Sequence, residues 1–355
     1  MKSLGAARGA RRAGFGQSPV VSGGVPRAPH RARRTVLVMG ALSLVAFTAC
    51  SNAGEDRVLS IEASGVVAGF VYFDTDGGRE PDGGDKGLAG VEVYLIARGT
   101  IDTVGSETTD ADGAYSISLV PAGRYRIAVD TSSFADSAEV VRIDTADVDV
   151  GPNDSLTVYI AVSFPLVTIA EVRAAPVGEK FFVDAVALTG IGGFGDTTMH
   201  IADTSGALRL TNVQRFPQGV FSGDTVRMVG TRQTRLGQPT LDRARVVVVL
   251  SFQGVADPVT TASGVAATAD GGALDAALVK VLGLVITDTA TVDGDYTFDA
   301  DDGTGVLRLI LEQDLAIDKS AFLPDTTLDA TGVLVPDGLG SWVLKPRGQS
   351  DLVIK

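Results

Sequence analysis

The sequence predicts an all-β protein that consists of one β-sandwich and two small β-barrels, and three observations lead to this fold class. The chain has 43 glycines among its 355 residues, and so many glycines indicate short strands and many turns. Short apolar runs that alternate with polar residues recur along the chain, without a convincing helical period. The last half of the chain contains an internal repeat, which predicts two copies of one domain.

The first 49 residues differ in composition from the rest of the chain. They contain eight basic residues and no acidic residue, and they end in an apolar run over residues 35–49. A run of this length is typical of a secretory signal peptide and is too short to span a bilayer comfortably. The formal charge is −13 for the whole chain and therefore −21 for residues 50–355. This acidity disfavours a nucleic-acid partner, because phosphate binding needs clustered Lys and Arg.

The end of the apolar run resembles the lipobox of bacterial lipoproteins. Residues 47–49 (Phe-Thr-Ala) lead into Cys50, which is the only cysteine of the chain and so has no disulfide partner within it. In that family the first mature residue is a diacylated cysteine. The resemblance implies a signal peptide over residues 1–49, a lipid anchor at Cys50 and a tether over residues 50–63. Ser51 implies retention at the outer membrane or cell surface, whereas an ordinary secretory signal with an incidental cysteine is the alternative.

Residues 64–165 are predicted to form the β-sandwich, and Pro165 marks its end. Six segments have the alternation of half-buried strands: 66–73, 90–97, 114–119, 125–129, 140–143 and 156–164. They are separated by Gly, Asp and Pro residues that favour turns. Short strands at close spacing, with no helical segment between them, favour two packed antiparallel sheets.

The internal repeat predicts two further domains. Four blocks recur in the same order about 100 residues later, at 183–189, 203–210, 225–230 and 237–241. A period of this length indicates duplicated domains, because solenoid repeats are much shorter. The copies are predicted over residues 166–252 and 263–355, with a Gly-, Ala- and Thr-rich linker over residues 253–262. Each copy has about five strands and one irregular segment, at 212–221 and at 312–322, which suits a small Greek-key barrel.

The first copy resembles the OB-fold modules that lie beside secreted bacterial nucleases and occur in many bacterial lipoproteins. The similar residues are 168–173, 183–189, 200–206 and 223–230, and the second copy is similar more loosely. The resemblance implies two tandem OB-like barrels. It implies no activity, since this fold carries many unrelated functions.

Four carboxylates lie close together in the loop that follows the first predicted strand. Counted from Asp74 as position 1, Asp74, Asp76, Asp82 and Asp85 fall at positions 1, 3, 9 and 12. This spacing is EF-hand-like and brings several hard oxygens to one cation. We therefore predict a structural Ca²⁺ site, and the alternative is a solvated Asp/Gly turn that binds no metal.

The residues around this loop resemble the calcium-binding B-repeats of serine-aspartate repeat adhesins. Residues 73–94 and 109–125 carry this resemblance, and they also fit the wider prealbumin-like or carboxypeptidase-regulatory-like sandwiches. The resemblance implies a prealbumin/Ig-like β-sandwich with a calcium loop. Positions 5, 6 and 12 depart from the motif, since they hold Gly78, Arg79 and Asp85. We therefore expect weak binding, with a Kd of ~0.1–1 mM, as in extracellular modules.

Two sequence features resemble parts of catalytic or cofactor sites, and we interpret both of them as structural. Residues 190–195 satisfy the pattern G-x-G-x-x-G, but a strand follows them instead of a helix, so they predict a hairpin tip. His200 has Asp299 at the equivalent place in the second copy. We expect it at a surface position of a strand, without a catalytic role. The sequence therefore predicts that the protein is not an enzyme.

Four arginines form a modest basic strip on the first barrel and are the candidate ligand contacts: Arg227, Arg232, Arg235 and Arg243. The function predicted from the sequence is a lipid-anchored binding or scaffold protein of the cell envelope. In this prediction the lipid anchor attaches the chain to a membrane, and the barrels present loops to a glycan or a partner protein. The alternative is an accessory subunit of a secreted hydrolase or nuclease, or an OB protein that binds nucleic acid.

Overall fold

The computed structural model describes residues 63–255 and 257–355, and the regular structure there is nearly all β, which confirms the predicted fold class. The helices are short: α1 (Ile169–Ala174), α2 (Ser263–Ala267) and three 3-10 turns (Thr131–Ser133, Lys319–Ala321 and Gln349–Asp351). Within these two stretches, no helix has the length and apolar character needed to cross a membrane. The predicted signal peptide and Cys50 lie outside the described residues.

The first domain is a β-sandwich of nine strands. They are β1 (Ser64–Phe73), β2 (Lys86–Gly87), β3 (Glu92–Ala97), β4 (Thr103–Thr108), β5 (Ala114–Pro121), β6 (Gly123–Val129), β7 (Glu139–Ile143), β8 (Asp147–Val150) and β9 (Ser155–Ser163). One sheet has the order β2-β1-β9-β7 with β5 also paired to β1, and the other has the order β4-β3-β6-β8. The alternating apolar residues of both sheets form one core between them, with Val67, Leu95 and Ile160 fully buried.

The second domain, called barrel 1 below, is a closed five-stranded barrel. Its strands are β10 (Lys180–Ala187), β11 (Met199–Asp203), β12 (Gly206–Thr211), β13 (Asp224–Arg235) and β14 (Gln238–Phe252). Their order is β10-β11-β12-β14-β13, and β10 also pairs with β13, which closes the barrel. Only β12 and β14 run parallel among these pairs. The first copy of the repeat is therefore a small closed barrel of five strands, as its strand pattern predicts.

The third domain, called barrel 2 below, repeats that connectivity. Its strands are β15 (Val259–Thr260), β16 (Leu278–Val292), β17 (Asp295–Asp301), β18 (Val306–Leu311), β19 (Thr327–Pro336), β20 (Trp342–Lys345) and β21 (Leu352–Ile354). The order β16-β17-β18-β20-β19 closes through the β16–β19 pair, and β18 and β20 are parallel. The strands β15 and β21 pair with β16 and β19 at the margins.

The repeated Asp-x-x-Gly blocks have the same structural role in both barrels. The Asp203 carboxylate accepts a hydrogen bond from the backbone N–H of Ile169 at 2.8 Å, at the start of α1. The equivalent Asp302 accepts from the N–H of Ser263 at 2.9 Å, at the start of α2. Each aspartate thus caps the helix that precedes its barrel and joins that helix to the tip of a hairpin.

Candidate functional site

The acidic loop between β1 and β2 is organised by the carboxylate of Asp74. This side chain is fully buried, and its oxygens accept hydrogen bonds from the backbone N–H groups of Asp76 (3.1 Å), Gly77 (2.7 Å) and Arg79 (2.7 Å). The backbone of Asp74 still belongs to the sheet, because its N–H donates to Val162 O at 2.9 Å. The loop therefore turns sharply around one buried negative charge, which three amides satisfy.

The other three candidate carboxylates cap turns within the same loop. Asp76 accepts from Gly78 N–H at 2.7 Å, and Asp82 accepts from Gly84 N–H at 2.6 Å. The two oxygens of Asp85 accept from the N–H groups at positions 75 and 82. Within the described stretches, no three acidic, histidine or cysteine side chains are arranged to hold a metal ion.

The loop nevertheless has the donor set that suits a hard cation. In the described chain, one oxygen of Asp76 and one of Asp82 accept no hydrogen bond from the protein. Burial raises the pKa of Asp76, and the nearby carboxylates of Asp74 and Asp82 raise it further. The acidic side chains therefore repel one another, and a divalent cation would offset that repulsion.

The acidic loop contacts barrel 1 through an arginine that the sequence places in the candidate ligand set. Arg227 Nη1 donates to Gly77 O at 2.5 Å, while its Nε and Nη2 donate to the two oxygens of Asp184 at 2.7 and 2.8 Å. Gly77 has φ +71°, and a Cβ there would lie 3.3 Å from Arg227 Cδ. Glycine at this position lets the loop approach the guanidinium closely.

Aromatic rings continue this contact between the sandwich and barrel 1. Phe73 meets Phe164 edge-on with ring centroids 5.3 Å apart, and Phe164 lies 6.3 Å from Phe182 of β10. The Nζ of Lys180 lies 5.3 Å from the centroid of Phe164. The charged contact at Arg227 therefore borders an aromatic cluster that holds the two domains together.

The other three candidate arginines differ from Arg227 and from one another in exposure and in their partners. Arg232 is buried and donates to Gln233 O and to Thr234 Oγ1. Arg235 is half-exposed and donates to an Asp242 oxygen at 3.4 Å, and Arg243 is exposed, with φ +51° in β14. The role of these residues as ligand contacts stays a prediction, and Arg227 has an observed structural role.

His200 lies on a face of barrel 1 that barrel 2 covers, so its expected surface position is wrong. Its side chain is fully buried, and burial, with smaller effects of Arg209 and Lys345, lowers its pKa to about 3. The equivalent residue of barrel 2, Asp299, instead forms a two-point ion pair with Arg308. The histidine is therefore buried and uncharged near pH 7 in this position.

A small apolar cluster fills the interface between the two barrels. Leu188, Phe194 and Ala207 of barrel 1 pack with three residues of barrel 2, which are Ala276, Leu278 and Val333. Arg173 of α1 also donates to Gly272 O at 2.9 Å. The single sequence could not reveal this contact, because the pattern of β11 and β12 also fits an independent barrel.

The hairpin tip at 190–195 agrees with its sequence interpretation. It connects β10 with β11, and no helix follows it. In this loop Gly192 N–H donates to Thr198 O at 2.9 Å, and Gly195 N–H donates to Gly192 O at 3.0 Å. The glycines therefore serve a tight turn.

Comparison with known proteins identifies the first domain. Residues 65–166 match the family model of the SdrD B-like domain, so this part of the chain is a B-repeat-like β-sandwich. No curated protein matches the chain.

The similar solved structures are distant. They include the minor pilin GBS52 of Streptococcus agalactiae, with 18% identity, TM-score 0.23, and 29% of this chain covered. This chain spans 45% of the length of that pilin. A murine DNA-binding protein bound with double-stranded DNA has 10% identity and TM-score 0.27, over 49% of this chain and 97% of its own. The TIE protein of Bacillus anthracis has 10% identity and TM-score 0.22, over 81% of this chain and 49% of its own. Likenesses this low carry no information on function.

Proposed function

We propose that the chain is a lipid-anchored, non-enzymatic binding or scaffold protein of the cell envelope. In this proposal the sandwich is a spacer stabilised by Ca²⁺, and the barrels present ligand-binding loops. The observation that carries it is the place of the acidic loop, which belongs to a B-repeat-like domain and also contacts barrel 1. A spacer needs such a contact, because it must hold the next domain at a fixed orientation.

The proposed Ca²⁺ site consists of Asp74, Asp76, Asp82 and Asp85. The ion would supply positive charge to a loop in which burial, and then the neighbouring carboxylates, raise the pKa of Asp76. Asp74 fixes the backbone of the loop through three amides, while Asp76 and Asp82 have free oxygens to offer. The role of the ion is structural in this proposal.

The proposed membrane attachment is a lipid on Cys50. It is supported by the lipobox-like residues 47–49 and by the basic, acid-free segment that precedes them. Cys50→Ser should abolish the acyl mass increment and move the protein from the membrane fraction to the soluble fraction. Ser51→Ala is the matched control, because it leaves the thiol in place and should stay lipidated. Membrane retention of Cys50→Ser would contradict the anchor.

The absence of enzymatic activity is proposed from the chemistry of the described residues. His200 is the one histidine in this part of the chain, and it is buried and neutral at pH 7. Nucleic acid remains an unfavoured ligand, because Arg227 and Arg232, two of the four candidate arginines, are engaged within the protein. Hydrolysis of any polymer by the purified chain would contradict this part of the proposal.

A further inference from the structure

Barrel 1 has an open cleft between the loop 190–197 and the irregular segment 212–221. Its volume is about 590 Å³, within the range of small-ligand sites. Backbone contacts hold its two walls together, since Val213 N–H donates to Thr197 O at 2.9 Å. The cleft is therefore a built feature of two connected segments.

The duplication within the chain provides an internal comparison for this cleft. Met199 pairs with Leu210 in barrel 1, and Phe298 pairs with Leu309 in barrel 2, so Met199 and Phe298 are equivalent. Two residues before this pair in the chain, Thr197 of barrel 1 is equivalent to Tyr296 of barrel 2. At the other wall of barrel 1, Asp224 N–H donates to Phe221 O at 3.1 Å. In barrel 2, Thr326 N–H donates to Leu323 O, also at 3.1 Å. Phe221 thus corresponds to Leu323, and Val220 to Phe322.

Three aromatic side chains occupy this region in barrel 2. Phe322 is fully buried and stacks on Phe298 with ring centroids 5.8 Å apart, and Tyr296 Oη donates to Phe322 O at 2.5 Å. Barrel 1 has the smaller Thr197, Met199 and Val220 at these places. Of these three, Thr197 and Val220 line the cleft of barrel 1, and smaller side chains fill less of the space beside them than the aromatic residues of barrel 2 do.

The rim of the cleft combines exposed aromatic surface with polar groups of both signs. Phe221 is 69% exposed although it is a large apolar side chain. Asp196 lies on one wall, with one oxygen held by the N–H and Oγ1 of Thr198 at 2.8 and 2.7 Å. Arg215 and Gln218 line the opposite wall. The cleft therefore offers an exposed apolar ring beside polar groups that can donate and accept hydrogen bonds.

We propose that this cleft binds a sugar ring of a neutral glycan, an inference that rests on the binding role proposed above and specifies its ligand. The C–H face of a sugar suits the exposed ring of Phe221. Its hydroxyl groups can donate to Asp196 and accept from Arg215 and Gln218. Because one wall carries an acid and the other a base, the two walls together favour neither sign of net charge, and a neutral, hydroxyl-rich ligand can use both.

The test fills the cleft with the residues that barrel 2 already uses. The variant is Thr197→Tyr with Val220→Phe, and Leu323→Ala, at the equivalent rim of barrel 2, is the matched control. The probe is a panel of neutral di- and trisaccharides with gluco, galacto, manno and N-acetylglucosamine units, added to the purified chain and followed by saturation-transfer NMR and calorimetry. We expect at least one member to bind the native chain and the control, and to lose binding at least 10-fold in the filled variant.

A second variant keeps the test valid if the filled barrel misfolds. Phe221→Ala and Arg215→Ala remove exposed rim side chains and should weaken binding of the same saccharide without lowering the melting temperature. If no neutral saccharide binds, or if binding persists unchanged in the filled variant, the glycan inference is wrong. Peptides that bind the native chain and not the filled variant would also overturn the glycan ligand, yet they would leave the proposed binding function in place.

Discussion

At the scale of single residues, Asp74 explains how a tight acidic loop forms. Its buried carboxylate accepts hydrogen bonds from three backbone N–H groups, and these bonds define the turn of the loop. The sequence spacing identified Asp74 as position 1 of a candidate loop. It could not reveal that this residue differs from Asp76 and Asp82 in burial, because burial depends on the course of β1 and β9.

Asp74→Asn should lower the free energy of unfolding of the sandwich by ~1–3 kcal/mol. The amide group of asparagine places a donor against at least one of the N–H groups that the carboxylate accepts, and a buried unsatisfied group costs about this much. The measurement is urea unfolding followed by tyrosine near-UV signals, since five of the six tyrosines lie at positions 72–159. Asp112→Asn, an exposed acid of a neighbouring turn, is the control, and equal losses in both variants would contradict the assigned role.

Arg227 and Arg308 form a matched pair for measuring the contact between the sandwich and barrel 1. Each arginine donates two hydrogen bonds of 2.7–2.9 Å to an aspartate, but only Arg227 also reaches the acidic loop. The side chain of Arg227 is 16% exposed, and that of Arg308 is 58% exposed. Arg227→Ala should therefore increase proteolytic cleavage near residue 165 and increase the radius of gyration measured by small-angle scattering. Arg308→Ala should cost at most ~1 kcal/mol and change neither readout. Identical behaviour of the two variants would show that the loop contact is dispensable.

At the scale of elements, the sequence predicted the strands that carry alternating apolar residues. In the sandwich it missed β2, which has only two residues, and also β4 and β8. Residues of β4 are mostly exposed at the edge of a sheet, and β8 alternates Asp with Val over only four residues. Edge strands lack a two-sided packing pattern, so their sequences give a weak signal. The sequence showed Asp203 and Asp302 as parts of a repeated block. It could not predict that they cap helices, because the partner N–H groups lie more than 30 residues away in the chain.

His200 of β11 should make barrel 1 less stable in acid. Its folded pKa of about 3 lies below the ordinary value of 6.5, because burial and the charges of Arg209 and Lys345 disfavour the imidazolium. Between these two pKa values the unfolded chain binds more protons than the folded chain. The contribution of His200 to the free energy of unfolding is therefore fully present above about pH 6.5 and decreases as the pH falls. The loss from this group reaches ~1.4 kcal/mol per pH unit.

The pH effect is isolated by comparison with His200→Leu. Hydrogen–deuterium exchange of β11 peptides at several pH values between 4 and 8 reports opening of this part of the barrel. Protection in the native chain should fall more steeply below pH 6.5 than in the variant, after correction for intrinsic exchange. Parallel pH profiles would mean that His200 becomes protonated without unfolding.

At the scale of the whole molecule, the three domains of the described chain are packed in series. The sandwich contacts barrel 1 through the acidic loop and an aromatic cluster, and barrel 2 covers the β11–β12 face of barrel 1. The sequence predicted the domains from strand patterns and from the repeat. It could not predict their interfaces, because an interface residue such as Arg227 or His200 has the same local pattern as a surface or core residue.

The proposed calcium site is tested most directly by the thermal unfolding of the sandwich with and without Ca²⁺. In a purified chain that begins at Ser51, 10 mM CaCl₂ should stabilise the sandwich by ~1.4–2.7 kcal/mol if the Kd is ~0.1–1 mM. The tyrosine-monitored melting temperature should then rise by several degrees. The rise should disappear in Asp76→Asn with Asp82→Asn, which leaves the buried Asp74 intact, and should persist in Asp112→Asn. An unchanged melting temperature of the native chain in calcium would contradict the account.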